Sequence, residues 1–116
     1  MRVWWSQSTP AIEGATIIAD FNKPLEDRHH GKFSSFIDFG AMEHIFNVHQ
    51  VLVNINKILR TNGTALLLLP SNGYLGHGFY QFSPEFFYST LIPKNGFSQT
   101  IVSPYRGRAG SLNVLV

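Results

Sequence analysis

Hydrophobic and polar positions change period several times along this chain, and each change marks an element. Val48, Val51, Leu52, Ile55, Ile58 and Leu59 recur at the i, i+3, i+4, i+7 spacing of one buried helical face. Asn47 stands where a side-chain oxygen can accept an early orphan amide, and Gln50 stands where a capping-box partner reaches back. Lys57 and Arg60 fall in the last turn, where cations suit the helix dipole, and Asn62-Gly63 supplies a left-handed exit. The spacing predicts a helix over residues 48–60.

Two apolar runs flank that helix. Residues 33–39 (FSSFIDF) read as a strand closed by Gly40, and residues 64–69 (TALLLL) form a continuous apolar run stopped by Pro70, as in a strand buried on both faces. Strand, helix and strand then make one βαβ crossover with parallel strands. Upstream, residues 15–19 (ATIIA) form a short β-branched strand that ends at Asp20 and feeds a turn through Asn22, Lys23 and Pro24. Residues 3–5 can begin on a further strand. Ser83 caps a second helix with Pro84 at its first position, Phe82 can staple onto Phe87, and Pro93 stops it. Residues 97–103 (FSQTIVS) and 111–116 (SLNVLV) alternate well enough to form an antiparallel pair joined by a loop over 104–110. The expected fold is α/β: a partial Rossmann-like sheet with one parallel βαβ unit and a C-terminal antiparallel strand pair, in a single domain over residues 1–116.

Composition narrows the function classes. With 44% hydrophobic and 14% aromatic residues among 116, the chain can bury a core. A formal charge of +2 and five scattered histidines leave no basic stripe, so no nucleic-acid partner is expected. The absence of cysteine excludes disulfides and thiolate metal sites and fits a reducing cytoplasm. Residues 65–69 are too short to span a bilayer, and no apolar run follows the N-terminal Arg2, so neither a membrane span nor a signal peptide is expected.

Candidate chemistry collects at the carboxyl ends of the strands, where open α/β sheets hold their ligands. Asp20 either contacts a ligand or closes a turn with Asn22. Asp38, on an otherwise apolar strand, must face a pocket or find a hydrogen-bond partner. Glu43 and His44 follow at once; being adjacent, they are not expected to point inward together, and His44 is either a base or a structural histidine. Asn72, His77 and Tyr80 lie in an aromatic, glycine-bearing stretch over 71–81 that can receive a substrate or merely cover the sheet edge. His29 and His30 have no third ligand at metal spacing, so no metal is expected.

Read in order, Asp20-Phe21-Asn22-Lys23-Pro24-Leu25, then the segment from Ile37-Asp38-Phe39-Gly40 through Glu43-His44-Ile45-Phe46-Asn47, then Ile58-Leu59-Arg60-Thr61-Asn62-Gly63 and Pro70, resemble class I S-adenosylmethionine-dependent methyltransferases. Gly76-His77-Gly78-Phe79-Tyr80-Gln81-Phe82-Ser83-Pro84-Glu85, followed by Asn95-Gly96-Phe97, looks like a bacterial branch of that family met among surface-polysaccharide genes. The resemblance implies methyl transfer to a small-molecule or sugar-related acceptor. It assigns Asp20, Phe21, Asp38 and Gly40 to the cofactor, Glu43 and His44 to catalysis, and Asn72, His77 and Tyr80 to the substrate.

Two parts of the family pattern have no counterpart before Asp20: the glycine-rich turn that approaches the methionine half of the cofactor, and the carboxylate that holds the ribose. The chain thus reads as a truncated methyltransferase-like domain, and S-adenosyl-L-methionine is expected to bind it weakly or not at all. A non-catalytic remnant or interaction module that keeps the sheet is the competing reading. The open edge of strand 33–39 allows self-association unless residues 15–20 pair with it.

Overall fold

The computed structural model describes residues 3–5, 17–105 and 110–116. The expectations for residues 15–16 and for most of the 104–110 loop therefore lie outside the described residues. Among these described residues six strands are formed: β1 (Val3–Trp5), β2 (Ile17–Ala19), β3 (Phe33–Asp38), β4 (Leu59–Pro70), β5 (Ile101–Pro104) and β6 (Ser111–Leu115). They make a two-stranded sheet, β1-β2, and a four-stranded sheet in the order β3-β4-β6-β5. Helix α1 (Val48–Ile58) bridges β3 and β4, and helix α2 (Pro84–Thr90) follows the long loop after β4.

The fold is α/β, with the expected parallel βαβ unit and antiparallel C-terminal strands. Strands β3 and β4 run parallel, Phe36 opposite Ala65 and Asp38 opposite Leu67. Strand β6 inserts antiparallel between β4 and β5, Leu67 opposite Val114 and Val102 opposite Val114 on the other side. The described strand β2 pairs in parallel with β1, not with β3. Among the described residues the outer edge of β3 therefore carries no strand, and its Ile37 stays 58% exposed.

Several boundaries correct the sequence reading. Helix α1 ends at Ile58, two residues earlier than expected, and β4 begins at Leu59, so Arg60 lies in the strand and only Lys57 serves the last helical turn. Leu59 pairs with Phe33 and is only half-buried, and Ile58 takes its place on the buried helix face beside Val51, Leu52 and Ile55. A run of apolar residues can be read equally as a helix end or a strand start, and here the pairing to Phe33 decides it. The left-handed residue is Asn62, at φ +61°, and Gly63 keeps an ordinary φ. At the other end of α1, Asn47 accepts from the Gln50 amide at 3.2 Å, while the Gln50 side chain turns to Asn54 rather than back to the cap.

Strand β4 is less enclosed than its apolar run suggests. Ala65, Leu67 and Leu69 are buried against α1 and α2 with Phe82, Phe87 and Leu91, whereas Leu66 and Leu68 on the other face are half-buried. Ser83 caps α2 by accepting from the Phe86 amide at 3.3 Å, and Phe82 stacks on Phe87 with ring centroids 5.7 Å apart, as a hydrophobic staple requires. Strand β5 starts at Ile101, later than the alternation from residue 97 implied, and β6 stops at Leu115. Among the described residues no helix is long and apolar enough to cross a membrane.

One buried polar residue stitches the helix to the segment after β2. Asn54, 1% exposed in the middle of α1, donates to the carbonyls of Phe21 at 3.3 Å and Lys23 at 2.9 Å and accepts from the Leu25 amide at 3.2 Å and Gln50 Nε2 at 3.0 Å. Every hydrogen-bonding group of its amide is thereby used, which is the condition for burying it without a large desolvation cost. Its place on the apolar face is not visible in the periodic pattern.

Candidate active site

The site forms where β3 ends. Asp38 is 5% exposed, and its two carboxylate oxygens accept from the amides of Ala41 at 2.7 Å and Met42 at 3.0 Å. Those bonds fold the chain into a 3₁₀ turn, Met42–His44. Burial pushes the Asp38 carboxyl above the ordinary carboxylate value and the Glu43 charge adds to this, while the amides of Ala41, Met42 and Gly40 act in the opposite direction. Both of the alternatives the sequence left open for Asp38 are realised. It lines a half-open cavity with Phe21, Phe36, Ile37, Ala41, Ile45 and Val51, and it is also fully partnered.

The turn aims Glu43 inward. Glu43 is 2% exposed, and its Oε2 is buried with no hydrogen-bond partner among the described residues. Around Oε1 stand two imidazoles, His77 Nε2 at 3.5 Å and His44 Nε2 at 3.9 Å, with their rings edge to face at 4.8 Å. Glu43 and His44 thus converge, contrary to the expectation from their adjacency. A 3₁₀ turn rotates successive residues by about 120°, and the long glutamate and the imidazole close the remaining gap.

Two glycines make this approach feasible. Gly40, at φ +93°, has no Cβ to press on Glu43 Oε1 at 3.1 Å. Gly78, at φ +69°, lies so close to Glu43 that a Cβ would meet its carbonyl oxygen at 2.8 Å and its Cγ at 2.9 Å. The next residue, Phe79, donates its amide to the Glu43 carbonyl at 2.7 Å, and the Tyr80 hydroxyl donates to the Phe46 carbonyl at 2.6 Å. The loop after β4 is therefore clamped onto the turn after β3, which is what delivers His77.

The remaining candidates sit apart from this corner. Asp20 is exposed, and its carboxylate accepts from the backbone and side-chain nitrogens of Asn22, both at 3.0 Å, with Lys23 at 3.6 Å. Those bonds, the Asn22 side chain first, hold it below the ordinary carboxylate value. Phe21, rather than Asp20, lines the cavity, with its ring 6.1 Å from Phe36. Asn72 is exposed and its amide is bound to the Gly110 carbonyl at 2.9 Å, on the β6 side of the sheet. Sequence reasoning assigned His77 to a substrate without seeing its link to Glu43. It passed over Tyr74, whose ring lies 5.8 Å from His77 and whose hydroxyl meets Ser111 Oγ at 2.8 Å.

No protein-family model and no curated protein matches the chain. Among solved structures, the CMeT (C-methyltransferase) domain of the citrinin polyketide synthase superposes on 85% of it with a TM-score of 0.65 at 14% sequence identity. The chain has a methyltransferase-like fold. It spans 31% of the length of that structure. In such a fold, the Asp38 turn and the Glu43 corner lie at the carboxyl end of the parallel strands, where an α/β sheet opens to ligands.

Proposed function

We propose that this chain forms the acceptor side of an S-adenosyl-L-methionine-dependent methyl-transfer site. The observation that supports this most directly is Glu43, buried with one oxygen unpartnered and flanked by His44 and His77, beside a cavity bracketed by Ala41 and Ile45. One of the two imidazoles beside this buried carboxylate can take up the proton that an acceptor nucleophile gives up, and the carboxylate then stabilises the imidazolium that results. The half-exposed rings of His44 and His77 keep that function open to an incoming molecule. Tyr80 and Phe79 form an aromatic rim that suits a sugar-related or small cyclic acceptor, the class the sequence resemblance implies.

The cavity residues fit the cofactor at one end only. Phe21, Phe36, Ile37, Ala41, Ile45 and Val51 offer an apolar slot for a flat purine, but both Asp38 oxygens are committed to backbone amides. No described residue takes the place of the ribose carboxylate. When bound, the cofactor supplies a methyl group already activated on a sulfonium, so the protein contributes position and proton removal. Weak binding by this chain is the consequence.

Titration of the ¹⁵N-labelled chain with S-adenosyl-L-methionine tests the reading. Millimolar cofactor is expected to shift the amide signals of Phe21, Ile37 and Ala41, and Phe21→Ala should abolish the shifts. Unperturbed spectra would favour the non-catalytic module instead.

A further inference from the structure

The Glu43 corner has the composition of a metal site as well as that of a proton acceptor. Glu43, His44 and His77 each turn one donor atom inward, and these atoms lie within 4.8 Å of one another. Two imidazoles and one carboxylate are the ligand set of borderline divalent ions such as Zn²⁺, Co²⁺ and Fe²⁺, not of Mg²⁺ or Ca²⁺, which take oxygen alone. The chain has no cysteine to compete for such an ion.

Three features separate this group from a chance cluster of histidines. Glu43 is 2% exposed, and among the described residues its Oε2 has no partner, a costly state that a cation beside the carboxylate would relieve. His77 is delivered from a distant loop, held by the Phe79 amide on the Glu43 carbonyl and by the close passage of Gly78. Finally, the separations are near those of a coordinated set. Tetrahedral bonds of about 2.0–2.2 Å place donors about 3.3–3.6 Å apart, against 3.5 Å from Glu43 Oε1 to His77 and 3.9 Å to His44. The donor set as a whole spans up to 4.8 Å, so coordination requires the half-exposed imidazoles to close on the carboxylate and on each other.

We propose that Glu43, His44 and His77 bind one divalent transition-metal ion and leave a coordination position open toward solvent. An ion held there would act as a Lewis acid toward an oxygen ligand entering the open position. The binding inference does not depend on methyl transfer, and its test uses no cofactor, so either reading can fail without the other.

The test is calorimetric titration of the whole chain with ZnCl₂, repeated with CoCl₂ while the visible d–d absorption is recorded. One ion per chain should bind with micromolar or tighter affinity, and Co²⁺ should give the spectrum of a nitrogen- and oxygen-ligated, low-coordinate site. His77→Ala, in an exposed loop position, should weaken binding by about 100-fold or more, and Glu43→Gln by about 10- to 100-fold, with unchanged circular dichroism. His30→Ala, which removes the imidazole beside Asp27, should leave the titration as it was. Millimolar or weaker binding by the native chain would overturn the proposal, as would binding that survives His77→Ala.

Discussion

Asp38 and Glu43 lie on the same short stretch after β3 and are almost equally buried, yet their surroundings differ in kind. Asp38 has both oxygens engaged by the Ala41 and Met42 amides, and it shapes the turn. Glu43 has an oxygen with no partner, and the amides, loop and glycines around it hold it in place without satisfying it. A buried carboxylate whose bonds are complete is a structural part. One left incomplete marks a place where the fold tolerates strain or desolvation for another purpose. The difference lies in partners, not in burial or charge, and it separates the two residues far better than their positions in the sequence do.

Removing Asp38 should have the largest effect. Asp38→Ala leaves the amides of Ala41 and Met42 without acceptors, and a loss of about 2–4 kcal/mol is expected in urea unfolding at neutral pH. The pH dependence has a definite sign. Burial raises the folded-state pKa of Asp38, so its contribution is complete below the unfolded value of about 3.9 and is lost as pH rises through the folded value. The destabilisation by Asp38→Ala should therefore be greater in acid than at neutral pH, and the opposite slope would show that the amides outweigh desolvation.

Closing the gap over Glu43 comes next. Gly78→Ala puts a Cβ against the Glu43 backbone at a positive φ, for an expected loss of about 1–2 kcal/mol together with broadening of the His77 ring signals. Wild-type stability in that variant would mean that the clamp between the two loops is looser than its geometry implies. The smallest effect belongs to Glu43→Gln, which keeps the shape and leaves an amide beside the two imidazoles. Its unfolding free energy should stay within about 1 kcal/mol of the native chain. If it destabilised as much as Asp38→Ala, the contrast between the two carboxylates would collapse.

The legibility of the sequence followed the range of the interactions. Helix α1 and its cap were readable because their signals are local: apolar spacing on one side and Asn47 with the Gln50 amide at the start. The parallel pairing of β3 and β4 followed from the crossover rule. What local patterns did not contain was the partner of each buried polar group. Asn54 reads as a polar interruption until the carbonyls of Phe21 and Lys23 are placed beside it. Glu43 and His77 meet only because β3 and β4 are neighbours whose following loops are clamped together. The pairing of β2 with β1, rather than with β3, is likewise a choice between edges that short β-branched runs leave undecided.

The Asn54 stitch has a practical consequence for following this molecule in solution. Leu25 lies outside any helix or strand, and its amide donates to the side chain of Asn54, anchored in the middle of α1. Deuterium uptake at that one amide should therefore track the undocking of the helix rather than the fraying of the loop around it. Leu25 would serve as a built-in reporter: slow exchange there, amid fast-exchanging neighbours, would register each moment the helix stays seated.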